Sequence, residues 1–123
     1  MGITFVKVII SNPKNEKKAI EEEFLVDSGA IYSVVPKEKL EKIGVKPLDT
    51  MTFTLADGTH TTRETGEAMF EFEGMKRTTP VVFGKRGDST LLGAMTLEAL
   101  GLILDPFQRK IRPMKLFLAK LSR

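Results

Sequence analysis

The 123-residue sequence contains no cysteine, so it can form no disulfide and offers no thiolate nucleophile or thiolate metal ligand. That absence fits a cytoplasmic setting, which is the expectation here. Histidine is nearly absent too: His60 stands alone, with no Ser or Cys nucleophile to accompany it, and reads as an exposed hairpin residue. No His/Asp/Glu cluster has ligand spacing, so neither a metal nor a cofactor is expected. No apolar run approaches the length of a bilayer span, which argues against a membrane protein. Charge of one sign is scarce. The formal net charge is +3, with Lys and Arg alternating with Glu along most of the chain, and this leaves no nucleic-acid footprint. The start, Met1-Gly2-Ile3-Thr4-Phe5-Val6-Lys7, lacks a basic n-region and a small-residue cleavage site, so no signal peptide is expected. Val6 stands where myristoylation wants Ser or Thr. Repeats, linkers and low-complexity stretches are also missing. One soluble domain over residues 1–123 is expected, large enough for a real core and short for two.

Against these absences stands Phe24-Leu25-Val26-Asp27-Ser28-Gly29-Ala30-Ile31-Tyr32-Ser33, an apolar run ending on an Asp-Ser-Gly-Ala turn. It reads as a buried strand delivering a carboxylate into a turn that glycine permits. Burying a carboxylate costs several kcal/mol unless a partner compensates, and sites that perturb carboxylates strongly tend to be functional ones. A second block lies far downstream, from Leu91-Leu92-Gly93-Ala94 through Leu97 to Leu104-Asp105-Pro106. It reads as a short apolar strand, a Gly, a brief helix stopped by Gly101, and another strand closed by an Asp-Pro turn.

Together the two blocks resemble the retropepsin-like aspartic proteases, in which a strand runs into Asp-(Ser/Thr)-Gly-Ala and a two-hydrophobe-plus-Gly strand precedes a helix near the C-terminus. Ser33 extends the match, because a small hydroxyl residue often stands three places beyond that Ala in the family. The resemblance implies an all-β, single-lobe acid protease barrel with one or two short helices, homodimeric, acting on polypeptides.

The chain pattern agrees with an all-β reading on its own terms. Residues 3–10 and 18–27 read as strands around the Asn12-Pro13-Lys14-Asn15 turn. Residues 34–36 continue past the Asp turn, and 36–44 read as one or two helical turns with Pro36 near the start and Gly44 at the end. Residues 50–56 and 59–73 flank Asp57-Gly58, a strong hairpin signal. Glu73-Gly74 turns into a strand over 76–83, a loop covers 84–89, and two short strands split by Pro113 fill the tail from Lys110 to Ala119. The expected architecture is an antiparallel β barrel or sandwich with two small helices.

One Asp does not hydrolyse a peptide bond, and the chain has one Asp-Ser-Gly. Asp57-Gly58-Thr59 has the wrong order, and Asp88-Ser89-Thr90 lacks both the Gly and the apolar lead-in, so both read as turns. An aspartic protease built on this sequence is therefore a homodimer in which Asp27 of each copy meets at a two-fold axis. Two such carboxylates share a proton and titrate as a pair. By resemblance, the Ser28 hydroxyl braces the two turns across the axis, Gly29 and Ala30 complete the turn, and Gly93 packs directly behind it. The hairpin residues Ala56, Asp57, Gly58 and Thr59 would form the flap that closes over an extended peptide.

The sequence departs from the retroviral enzymes at the flap, where a Gly-rich tip is replaced by Ala-Asp-Gly-Thr. It departs again at Ile31, Tyr32 and Ala94, where charged residues usually link the subunits. The apolar tail Met114-Lys115-Leu116-Phe117-Leu118 and the N-terminal strand would then interleave between copies, or the tail would fold back on its own subunit. A non-catalytic module that dimerises or binds peptides with the same fold is the main alternative. A haloacid-dehalogenase reading fails because Gly29 stands where that pattern wants a second Asp, and an actin-like ATPase needs a much longer chain.

Overall fold

A computed structural model describes residues 3–114. Two long hairpins supply most of its strands. Phe5–Asn12 (β1) and Asn15–Val26 (β2) pair antiparallel from Phe5↔Leu25 to Asn12↔Asn15, and the turn between them is held where the Lys14 N–H donates to Asn12 Oδ1 (2.8 Å). His60–Phe72 (β5) and Met75–Gly84 (β6) pair from Thr65↔Val82 to Phe72↔Met75. Their two-residue turn has Glu73 and Gly74 both at positive φ (49° and 84°), the conformation whose twist suits a hairpin.

Between these hairpins lie Ser33–Pro36 (β3), the helix Lys37–Lys42 (α1) and Asp49–Thr54 (β4). Pro36 begins α1 and Gly44, at φ 79°, ends it, its N–H donating to the Glu41 carbonyl (2.9 Å). The helix is charged outward and buries Leu40, with Ile43 just beyond it. The chain then runs through Leu91–Leu92 (β7), the helix Ala94–Ala99 (α2), Leu102–Asp105 (β8) and Lys110–Pro113 (β9).

The seven-stranded sheet has the order β1-β2-β7-β3-β6-β5-β4, and β1 also pairs with β5 (Ile10↔Phe70), which curls the sheet into a barrel. Inward residues of the strands fill it: Val8, Ile10, Phe24, Phe70, Phe83 and Leu92 are all buried, with Phe24 and Phe70 rings 6.0 Å apart. Each such side chain contributes about 1.5–3 kcal/mol by leaving water.

One feature differs from the sequence expectation: pairing is mixed rather than antiparallel throughout, since β2–β7 and β3–β6 are parallel. The first of the expected tail strands is β9, which pairs with β8 of its own chain (Leu104↔Ile111). The second expected tail strand and the interleaving residues Lys115–Leu118 lie outside the described residues. No helix among the described residues is long and apolar enough to cross a membrane.

Candidate active site

The parallel insertion of β7 builds the Asp27 turn. β2 and β3 flank the turn but do not pair; Leu91 and Leu92 fit between them, with Val26↔Leu92 on one side and Val34↔Leu91 on the other. The Asp27 N–H donates to the Leu92 carbonyl (3.0 Å), fixing the residue at the strand end. The chain then reverses: the Ala30 N–H donates to the Asp27 carbonyl (3.1 Å), and the Gly29 N–H donates to Asp27 Oδ1 (3.0 Å). Asp27 is half-buried and Ser28 and Gly29 are exposed, so the single chain presents the carboxylate at its surface rather than sealing it in the core.

Behind the turn, nothing larger than Gly93 fits. A Cβ there would lie 2.6 Å from both the carbonyl carbon and oxygen of Tyr32. The start of α2 continues this backing, because the Ala94 and Met95 N–H groups donate to the Ala30 and Ile31 carbonyls (2.7 and 3.0 Å). A buried hydroxyl cluster lies below. The Gly93 N–H donates to Ser33 Oγ (3.0 Å), Ser33 Oγ pairs with Thr96 Oγ1 (2.6 Å), and Thr96 Oγ1 pairs with Thr79 Oγ1 (3.0 Å). Thr79 and Thr96 escaped the sequence reading. Their signal is slight: a Thr on the inward face of a helix and a strand, where an aliphatic residue is the ordinary choice.

A cavity of about 580 Å³ opens beside the turn, between Gly29 and Ala30 on one side and the β4–β5 hairpin on the other. Its apolar lining includes Ile31, Tyr32, Val34, Phe53, Leu55 and Leu91. Tyr32 meets Phe53 edge to face at 6.1 Å, joining the turn to the hairpin. The hairpin tip lies beyond this lining. At the tip, Gly58 adopts φ 87° and the Leu55 N–H donates to the Thr59 carbonyl (2.7 Å). Asp57 Oδ1 accepts from the hydroxyl and the N–H of Thr59 (2.6 and 3.0 Å), and the hydroxyl bond, then the backbone one, hold this exposed carboxylate below its ordinary value.

The structure thus brings Gly29, Ala30 and Gly93 together around Asp27 and sets Ala56, Asp57, Gly58 and Thr59 at the end of the overhanging hairpin. His60 lies exposed at the last rung before the hairpin tip, Nδ1 3.1 Å from Thr54 Oγ1. Among the described residues no three His, Asp or Glu side chains converge as a metal site would require. The sequence reading missed Phe53, Thr61, Arg63 and Asp88 in the cavity lining. The register Phe53↔Thr61 together with the two-residue period of strand faces would have found the first three.

A family model described as aspartyl protease matches residues 7–101. No curated protein matches the chain. Similar solved structures include the simian foamy virus (mac) protease, with TM-score 0.54 and 22% identity over 77% of this chain and 92% of that one. An EIAV protease bound to an inhibitor superposes with TM-score 0.55 at 17% identity, covering 95% of this chain and 94% of that one. A retropepsin-like aspartic protease from Rickettsia conorii gives TM-score 0.50 and 18% identity, over 85% and 89% of the two chains.

Proposed function

Since the chain belongs to the aspartyl protease family and is an aspartic-type endopeptidase with the single-lobe retropepsin-like fold, we propose that residues 1–123 form one domain acting as a homodimer, with Asp27 of each copy in a shared dyad. The observation that carries this reading is the half-built site: one exposed Asp27 turn, one cavity beside it and one overhanging hairpin. A two-fold axis through the exposed Ser28 and Gly29 completes the groove, and an extended polypeptide then lies across both copies.

In the dyad one carboxyl is ionised and the other holds the shared proton. The ionised Asp27 takes a proton from a water between the two, and the water oxygen bonds to the scissile carbonyl carbon. Asp27 of the second copy gives its proton to the carbonyl oxygen, so a neutral gem-diol forms. As the C–N bond breaks, the proton taken from water passes to the amine and a diol hydroxyl returns a proton to the dyad. The Gly29 N–H bond to Oδ1 holds one carboxylate oxygen through the cycle. Ser28, from its exposed place beside Asp27, braces the two turns against each other, and the residues Ala56–Thr59 close over the peptide. The lack of cysteine agrees with a cytoplasmic setting.

The test compares wild type with Asp27→Asn on a peptide library from about pH 3 to pH 7. Wild-type cleavage that Asp27→Asn abolishes is the expected result. Binding without cleavage points to a non-catalytic peptide module. A sedimentation experiment showing only monomer at high concentration refutes the shared dyad.

A further inference from the structure

The backbone ladder that holds β5 to β6 stops at Thr65↔Val82. Among the described residues, residues 60–64 of β5 pair only with β4, so this part of the hairpin leaves the barrel and overhangs the cavity. Among the described residues no backbone hydrogen bond joins it to the opposite wall, the loop from Lys85 to Thr90. One ion pair among the described residues spans that gap. Arg63 Nε donates to Asp88 Oδ2 (2.7 Å) and an Arg63 terminal N–H donates to Asp88 Oδ1 (2.9 Å), a bidentate fork. The side chains are only 16% and 27% exposed, so solvent screens the pair less than it does a surface bridge.

Each partner is also fixed on its own side. Asp88 Oδ2 accepts from the Lys85 N–H (2.7 Å), while the Asp88 N–H donates to the Lys85 carbonyl (2.9 Å), so the same carboxylate sets the loop's conformation. The second Arg63 terminal nitrogen donates to Thr61 Oγ1 (2.7 Å) and to the Thr62 carbonyl (2.8 Å). Thr61, Arg63 and Asp88 all line the apolar cavity.

With four of its five N–H donors given to these partners and its charge paired by Asp88, Arg63 is a poor receptor for a charged substrate group, and the fork instead fixes how far apart the two walls stand. We propose that the Arg63–Asp88 pair is a tie across the substrate groove that sets which side-chain size the cavity accepts, making Arg63 a specificity-determining positioning residue. This rests on the reading of the cavity as the substrate site. With the tie in place the walls hold one width, and a bulky apolar side chain that fills the cavity gains over a small one. With the tie cut, nothing among the described residues holds the hairpin to the 85–90 wall, and it is anchored by its return into the barrel at Thr65, by the Tyr32–Phe53 contact and by the exposed Lys37–Glu64 pair.

The experiment measures kcat and KM on two peptides that differ by Phe against Ala at one position flanking the scissile bond. Arg63→Met should lower the Phe-to-Ala ratio of kcat/KM by about five- to tenfold, mostly through KM, a range set by what one apolar pocket can discriminate. Arg63→Lys, which keeps the charge and loses the fork, should fall between. Asp88→Asn should match Arg63→Met, and the double variant should lose no more than either single one. A merely structural pair predicts the reverse: lowered melting temperature with an unchanged ratio in the folded fraction, and that result overturns the tie. If wild type cleaves no peptide, the proposed function fails instead. Calorimetric binding of the same two peptides to wild type and Arg63→Lys then decides the tie separately.

Discussion

Gly93→Ala is the sharpest perturbation the structure offers. The added methyl would stand 2.6 Å from the carbonyl carbon and oxygen of Tyr32 and 2.9 Å from the Ile31 oxygen. Ordinary van der Waals contact for a Cβ begins at 3.4 Å, so the 30–32 segment must retreat by about 0.8 Å. That retreat opposes three hydrogen bonds: Ala94 to Ala30, Met95 to Ile31, and Gly93 to Ser33. Overpacking costs about 1–3 kcal/mol, and since the obstructing atoms are backbone the upper half of that range applies. For a chain of this length about 2–3 kcal/mol corresponds to roughly 6–15 °C in melting temperature. The same shift moves the turn that carries Asp27, and displacing a reacting group by about 1 Å costs on the order of a hundredfold in kcat. Differential scanning calorimetry and peptide turnover measure the two effects. Gly74→Ala supplies the control. Its Cβ meets nothing within 4 Å but its φ is 84°, so it should lose about 1 kcal/mol to backbone strain and leave kcat alone. A Gly93→Ala protein that melts within about 1 °C of wild type and turns over normally refutes the packing argument.

The hydroxyl cluster makes a separate claim. Thr96→Val leaves the Ser33 and Thr79 hydroxyls without their shared partner and should cost about 1–3 kcal/mol in urea unfolding. The Asp88 carboxyl lies below its ordinary value because of the Arg63 fork first, with the Lys85 N–H bond and the Arg63 and Lys85 charges adding to it against partial burial. A depressed carboxylate contributes stability above its unfolded value and loses it as pH falls through the folded one. Stability measured against pH should therefore drop in acid for wild type and be flatter there for Asp88→Asn. At the hairpin tip, Asp57→Ala removes both bonds to Thr59 and should speed exchange of the Thr59 amide while leaving global unfolding unchanged.

Elements encoded by local chemistry were readable before any coordinates. Gly58 in the first hairpin turn and Glu73-Gly74 in the second adopt positive φ, which the Asp-Gly and Glu-Gly pairs signal locally. Pro36 and Gly44 bracket α1 for equally local reasons, and Leu91-Leu92-Gly93 stood out as an apolar strand ended by glycine. What stayed hidden was nonlocal. A strand of two residues carries no period, so nothing in Leu91-Leu92 says that it pairs parallel with β2 and separates β2 from β3. Asp88 does sit in a turn, as its sequence suggests, but its bond to a residue 25 positions earlier leaves no trace in spacing. An apolar lead-in suggests a buried Asp27 carboxylate; the turn faces outward instead and leaves Asp27 half-buried, a tertiary choice that the lead-in does not encode.

The late arrival of β7 also governs when the site can exist. Asp27 and Ser33 are anchored by Leu92 and Gly93, the latter sixty residues further along the chain than Ser33. Synthesis proceeds from the N-terminus at about 5–20 residues per second, so for several seconds a growing chain carries the Asp27 segment without the strand that shapes it. A nascent chain ending at Thr90 lacks both the Leu92 carbonyl that receives the Asp27 N–H and the Gly93 N–H that reaches Ser33, so these anchors form only after β7 has been made.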